Sequence, residues 1–124
     1  MNIIDSSGWL EYFSDSDRAY LFSDAIENTE QLIVPVITVY EVFKKLLIEM
    51  NEDKALTAIA YMQLGRTVDL DLELSLLSAK ISFENKLPMA DSIIYATALK
   101  YDATLWTQDE DFNNIKGKVK YFPK

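Results

Sequence analysis

Five short apolar runs punctuate this chain: "MNIID" (1–5), "QLIVP" (31–35), "RTVDL" (66–70), "ATLWT" (103–107) and "KVKYF" (118–122). Each has the length of a strand and is too short to be a stable helix. Long stretches with apolar residues at helical spacing separate the first four. Strands joined by such long crossovers lie parallel, and right-handed crossovers leave few topologies. The expected fold is α/β: a single-domain parallel β-sheet flanked by helices on both faces, an α/β/α sandwich over residues 1–124. In such folds the site lies beyond the carboxyl ends of the strands.

The intervening segments carry their own signals. "SSGWLEYF" and "DRAYLFSDAIENT" read as two helices after the first run, and Ile37 to Met50 as a longer one after the second. Asn51 is a suitable N-cap for the helix in "NEDKALTAIAYMQLG", and Gly65 a suitable C-cap. "ELSLLSAKISFENK" directs Leu74, Leu77, Ile81 and Phe83 towards the core, and Pro88 suits the first turn of the last long helix. Tyr40, Phe43, Leu47, Ile59, Tyr61 and Met62 are more apolar surface than one small core needs on one side. They predict a homodimer, or a partner helix laid in a groove.

Composition narrows the chemistry. The chain has no His and no Cys, which excludes Ser-His-Asp and Cys-His catalysis, ordinary zinc sites and disulfides. Carboxylates without His or Cys favour hard cations, Mg²⁺ or Mn²⁺. "MNIIDSSGW" lacks the basic and long apolar regions of a secretory signal. No apolar run approaches the ~20 residues of a membrane span, so a cytoplasmic location without membrane attachment is expected. The net charge of −8 argues against broad binding to phosphate backbones. Any nucleic-acid path must use local cations: Lys44, Lys45 or the lysines from Lys116 to Lys124.

The chemically interesting residues fall where the fold rule places a site. Asp5 ends the first run and Asp109 follows the fourth; either also suits a helix N-cap. Glu41 lies early in the helix after the second run, where an ion pair with Lys44 or Lys45 is the alternative. Asp91 sits near the start of "LPMADSIIYATALKY", a stretch otherwise fit for burial, where a favourable helix-dipole contact is the alternative. Together the four are expected to converge. Clustered carboxylates raise one another's pKa, and a divalent cation relieves that repulsion.

At these residues the sequence resembles the PIN (PilT N-terminus) domain family, and within it the VapC-type toxins of toxin–antitoxin pairs. The similar stretches are "IIDSSGWLEYF", "VPVITVYEVFKKL", "LPMADSIIYATALKYDATLWTQDEDF" and the final "YF" strand. The resemblance implies a PIN-like fold with Asp5, Glu41, Asp91 and Asp109 as catalytic and metal-binding acids. Ser6 and Thr107 take the places of accessory hydroxyls. Asp111 competes with Asp109, which the "T-x-D" spacing favours. The implied activity is Mg²⁺- or Mn²⁺-dependent endoribonuclease chemistry: a metal-activated water hydrolyses RNA, leaving a 5′-phosphate and a 3′-hydroxyl. The implied partners are an RNA substrate, a small VapB-like antitoxin and a second copy of the chain.

Three other readings compete. A phosphoryl-signalling receiver domain needs paired acids after the first strand and a Lys near the last; "IIDSSG" offers one Asp. A haloacid-dehalogenase-type phosphatase needs a second Asp where Ser7 stands. A non-catalytic PIN-fold interaction protein accords with the acidity, and metal titration separates it from an enzyme.

Overall fold

The structure is a computed structural model describing residues 1–124. Five strands, β1 (Asn2–Ile4), β2 (Leu32–Pro35), β3 (Arg66–Val68), β4 (Thr104–Thr107) and β5 (Val119–Tyr121), form one sheet in the order β3-β2-β1-β4-β5. Every pairing is parallel, with Ile3 opposite Ile33 and Leu105. Six helices accompany them: α1 (Ser6–Phe13), α2 (Tyr20–Glu27), α3 (Val36–Glu49), α4 (Glu52–Met62), α5 (Leu72–Asn85) and α6 (Met89–Lys100). From β1 the chain winds outwards through β2 and β3, then returns to lay β4 on the other side of β1. The strand order therefore reverses between β1 and β4, where open α/β sheets form their crevice.

Successive strand residues point to opposite faces, and two cores result. Ile3, Ile33 and Leu105 pack with Leu74, Ile81 and Ile94 of α5 and α6. Ile4, Leu32 and Val34 pack with residues of α1 to α4, including Trp9, Phe22, Val42 and Met62. The sandwich expected from the alternation of strands and helices is the one observed. Helix α6 is buried from Ser92 through Ala98, which accounts for its lack of a polar face.

Local departures from the expected pattern have simple causes. The helix opened by Asn51, whose side chain accepts the Lys54 N–H at 2.8 Å, ends at Met62 with Gln63 as its cap. Gly65 is therefore not the C-cap; a Cβ there would meet Leu32 at 3.0 Å, so its smallness serves the entry into β3. Pro88 is the cap before α6 rather than its first residue. Phe83 is 87% exposed and lies outside the core, and Leu99 is half exposed. Of the six apolar residues in α3 and α4, Met62 is buried and Phe43, Ile59 and Tyr61 pack against the second core. Only Tyr40 and Leu47 stand exposed.

Candidate metal centre

Asp5 is the first residue past β1. Its Oδ1 caps α1, accepting the Gly8 N–H at 3.0 Å and the Ser7 hydroxyl at 2.8 Å. Its Oδ2 accepts the Thr107 hydroxyl at 2.5 Å across the β1–β4 junction. The close approach needs a bare backbone at Gly8, where a Cβ would lie 2.6 Å from Ile4 and 2.8 Å from Phe22. Burial pushes the Asp5 carboxyl above its ordinary pKa; the three hydrogen bonds oppose this, and Asp109 adds to the rise. Asp5 is thus a helix cap, and it lines the cleft that holds the other acids as well.

Thr107 ends β4 and is fully buried. Its Oγ1 also accepts the Asp109 N–H at 3.0 Å, fixing the turn that carries the next acids. Asp109 Oδ1 accepts the Asp111 N–H at 2.9 Å and caps the following 3₁₀ turn, Glu110–Phe112. Glu41 projects from the second turn of α3 and accepts the Ser6 hydroxyl at 2.5 Å. Neither Lys44 nor Lys45 pairs with it: Lys45 bonds Glu49 at 3.1 Å, and Lys44 lies over the Tyr40 ring at 5.9 Å.

Asp91 lies in the first turn of α6. Its carboxyl is raised to about pKa 8, first by burial, then by a hydrogen bond with Asp111, and then by the charges of Asp109, Asp111 and Asp5. Lys45 lines the same cleft but pairs with Glu49 rather than with Asp91. Asp91, Asp109 and Asp111 each bring a carboxylate oxygen within 4.8 Å of the other two. Asp5, Glu41, Asp91 and Asp109 line one cleft of about 290 Å³, with Ser6, Ser7 and Lys45 on its walls. Thus the cleft gathers all four acids of the sequence reading, and Asp111 joins them from its edge.

The donor set fits a hard divalent cation. It is all carboxylate and hydroxyl oxygen, and the acids are crowded enough to hold a proton that a cation would displace. Asp91, Asp109 and Asp111 form the tight group; Asp5 and Glu41 are oriented by hydroxyls beside it. The sequence reading did not single out Gln108 and Arg18. Gln108 is buried, receives the Arg18 Nε–H at 2.6 Å and donates to Glu11 at 3.1 Å. Arg18 also donates to the Phe122 carbonyl at 3.0 Å, clamping the chain after β5 beside the β4 turn. The pairing spans 90 residues of sequence, and no local pattern announces it.

Fold and site together define a class: a small doubly wound α/β protein with a carboxylate cleft at its topological switch point. The PIN domain family profile matches residues 3–118, and the chain belongs to the PIN domain family. Its fold is shared with solved toxin structures. A toxin–antitoxin complex from Klebsiella pneumoniae superposes with a TM-score of 0.78 at 23% identity, covering 96% of this chain and 95% of that one. The VapC20 toxin of Mycobacterium tuberculosis, described as cleaving the sarcin-ricin loop, gives 0.80 at 15% identity over 97% and 98%. DNA-bound VapBC from Salmonella typhimurium gives 0.80 at 14% over 97% and 96%. At these identities the likeness is one of fold. No curated protein matches the sequence. No helix is long and apolar enough to cross a membrane.

Proposed function

We propose that this chain, a single PIN-like domain over residues 1–124, is a divalent-metal-dependent endoribonuclease and the toxin of a toxin–antitoxin pair. The observation that carries the reading is the cleft of Asp5, Glu41, Asp91 and Asp109, with Asp111 at its edge. Asp91, Asp109 and Asp111 would hold a Mg²⁺ or Mn²⁺ ion, with Asp5 and Glu41 completing the acidic set. When bound, such a cation supplies Lewis-acid stabilisation of phosphate charge and eases deprotonation of water.

The chain's own groups do the rest. The Asp91 carboxyl holds its proton at neutral pH and releases it when positive charge enters. Thr107 and Ser7 fix both oxygens of Asp5, so that carboxylate cannot rotate away. The Ser6 hydroxyl steers one oxygen of Glu41 and leaves the other free to accept a proton or orient the attacking water. The partners are an RNA substrate, a small VapB-like antitoxin and a second copy of the chain. Exposed Leu72, Leu76, Phe83 and Met89 on α5 and α6 support a covered surface.

A non-catalytic interaction protein is the second reading, and the net charge of −8 favours it. One experiment separates the two. Structured RNAs are incubated with the wild-type chain and Asp91→Asn, with Mn²⁺ or with chelator. The nuclease reading expects cleavage by wild type with Mn²⁺ only. Wild-type cleavage rates in Asp91→Asn, or no cleavage at all, would defeat it.

A further inference from the structure

The carboxylate cleft is not closed on itself. It shares Ser7 and Asp109 with an adjoining cleft of about 420 Å³, lined also by Gln108, Glu110, Tyr121 and Lys124. The two clefts adjoin at the carboxyl edge of the sheet, with Ser7 and Asp109 on the wall of each. One cation borders each cleft: Lys45 the first, Lys124 the second. Lys45 stands on α3, which follows β2, and Lys124 follows β5. With β1 and β4 between those strands, Asp5 and Asp109 lie between the two lysines.

Several other cations are engaged elsewhere. Arg18 is bound to Gln108 and to main-chain carbonyls. Lys118 pairs with Asp102 at 2.8 Å, Lys100 pairs with Asp71 at 3.4 Å, and Lys120 lies 4.2 Å from the Trp106 ring centroid. The Lys45–Glu49 pair is half exposed on both sides. Such a solvent-exposed pair is weak and is readily exchanged for a phosphate. Lys124 makes no ion pair. In a chain of net charge −8, a polyanion crossing this edge meets few cations, and these two flank Asp5 and Asp109.

We propose that Lys45 and Lys124 are positioning residues for a single-stranded nucleic acid. They would hold the phosphates on either side of the one presented to the carboxylates, so that the strand runs along both clefts as one groove from the β2 side to the β5 side. The inference rests on the nuclease reading for its substrate class, but its test reads binding alone. Fluorescein-labelled single-stranded RNA of about 12 nucleotides, within the span such grooves accommodate, is titrated with full-length Asp91→Asn in Mg²⁺ at several salt concentrations. Lys45→Gln and Lys124→Gln are each expected to weaken binding about two- to fivefold. Each should also flatten the slope of log K against log salt by about 0.7. Lys80→Gln on α5 removes the same charge away from the groove and should change neither.

Equal effects from Lys80→Gln, no effect from either groove lysine, or no binding would overturn the proposal. Thermal melts of each variant exclude misfolding as the cause. Intact Mn²⁺-dependent cleavage by wild type with indifferent lysines defeats the groove alone. Lysine-dependent binding without cleavage of any RNA defeats the nuclease reading alone.

Discussion

Asp91→Asn is expected to stabilise the protein while removing its response to divalent cations. The Asp91 carboxyl stands at about pKa 8 in the fold against an ordinary 3.8. A raised carboxyl contributes stability when protonated, and that contribution is lost as pH rises from the unfolded value towards the folded one. Between pH 3.8 and pH 7 the loss is about 4 kcal/mol in the unscreened limit. Asp91 is half-buried, and water reaching it screens this to about 1–2 kcal/mol. Asparagine keeps the shape and carries no charge, so in chelator at pH 7 the variant should melt about 4–8 °C higher than wild type. Wild-type stability should fall between pH 5 and pH 8, and the variant's should fall less. Adding Mn²⁺ should raise the wild-type melting temperature, since a ligand bound only by the folded state stabilises it, and should scarcely move the variant. Differential scanning fluorimetry in both buffers reads all of this. A variant that melts lower than wild type in chelator, or that gains as much from Mn²⁺, would show that Asp91 is not the repelled, cation-seeking group described.

Other substitutions probe the scaffold. Thr107→Val strips Asp5 of its 2.5 Å donor and Asp109 of its acceptor and should destabilise by about 2 kcal/mol in urea titration. Gly8→Ala forces a Cβ to within 2.6 Å of Ile4 and should cost about 1–3 kcal/mol by the same assay. Phe83→Ser, at a position 87% exposed, should shift stability by no more than about 0.5 kcal/mol. If α5 forms a homodimer face, it should also lower the mass seen in light scattering.

The sheet was legible because its strands are short apolar islands between helices too long for any other connection. The acids were legible because strand ends are where this architecture places chemistry. Asp5 and Asp109 fall there by position alone, and Asp91 was conspicuous as a charge in the otherwise apolar α6. What stayed hidden depends on side-chain direction. Glu41 has Lys45 one turn away, and sequence alone cannot tell that Ser6 takes the carboxylate while Glu49 takes the lysine. Phe83 was expected inside because the spacing from Leu74 and Ile81 does not fix which flank of α5 meets the sheet. The Arg18–Gln108 clamp joins distant segments and leaves no local trace.

The double service of Asp5 has a consequence for how the acids can be dissected. Asp5 and Asp109 each hold a backbone turn in place as well as carrying charge, so neutralising either one unpins the main chain beneath it. Glu41 and Asp91 take no such structural part; each is tied to its surroundings only through another side chain. The four acids thus divide into two that are separable from the fold and two that are not. A folded, inert version of this protein, suited to trapping a bound strand or a partner, is most cleanly made at Glu41 or Asp91. Loss of activity at Asp5 or Asp109 would say little until the integrity of the scaffold had been measured alongside it.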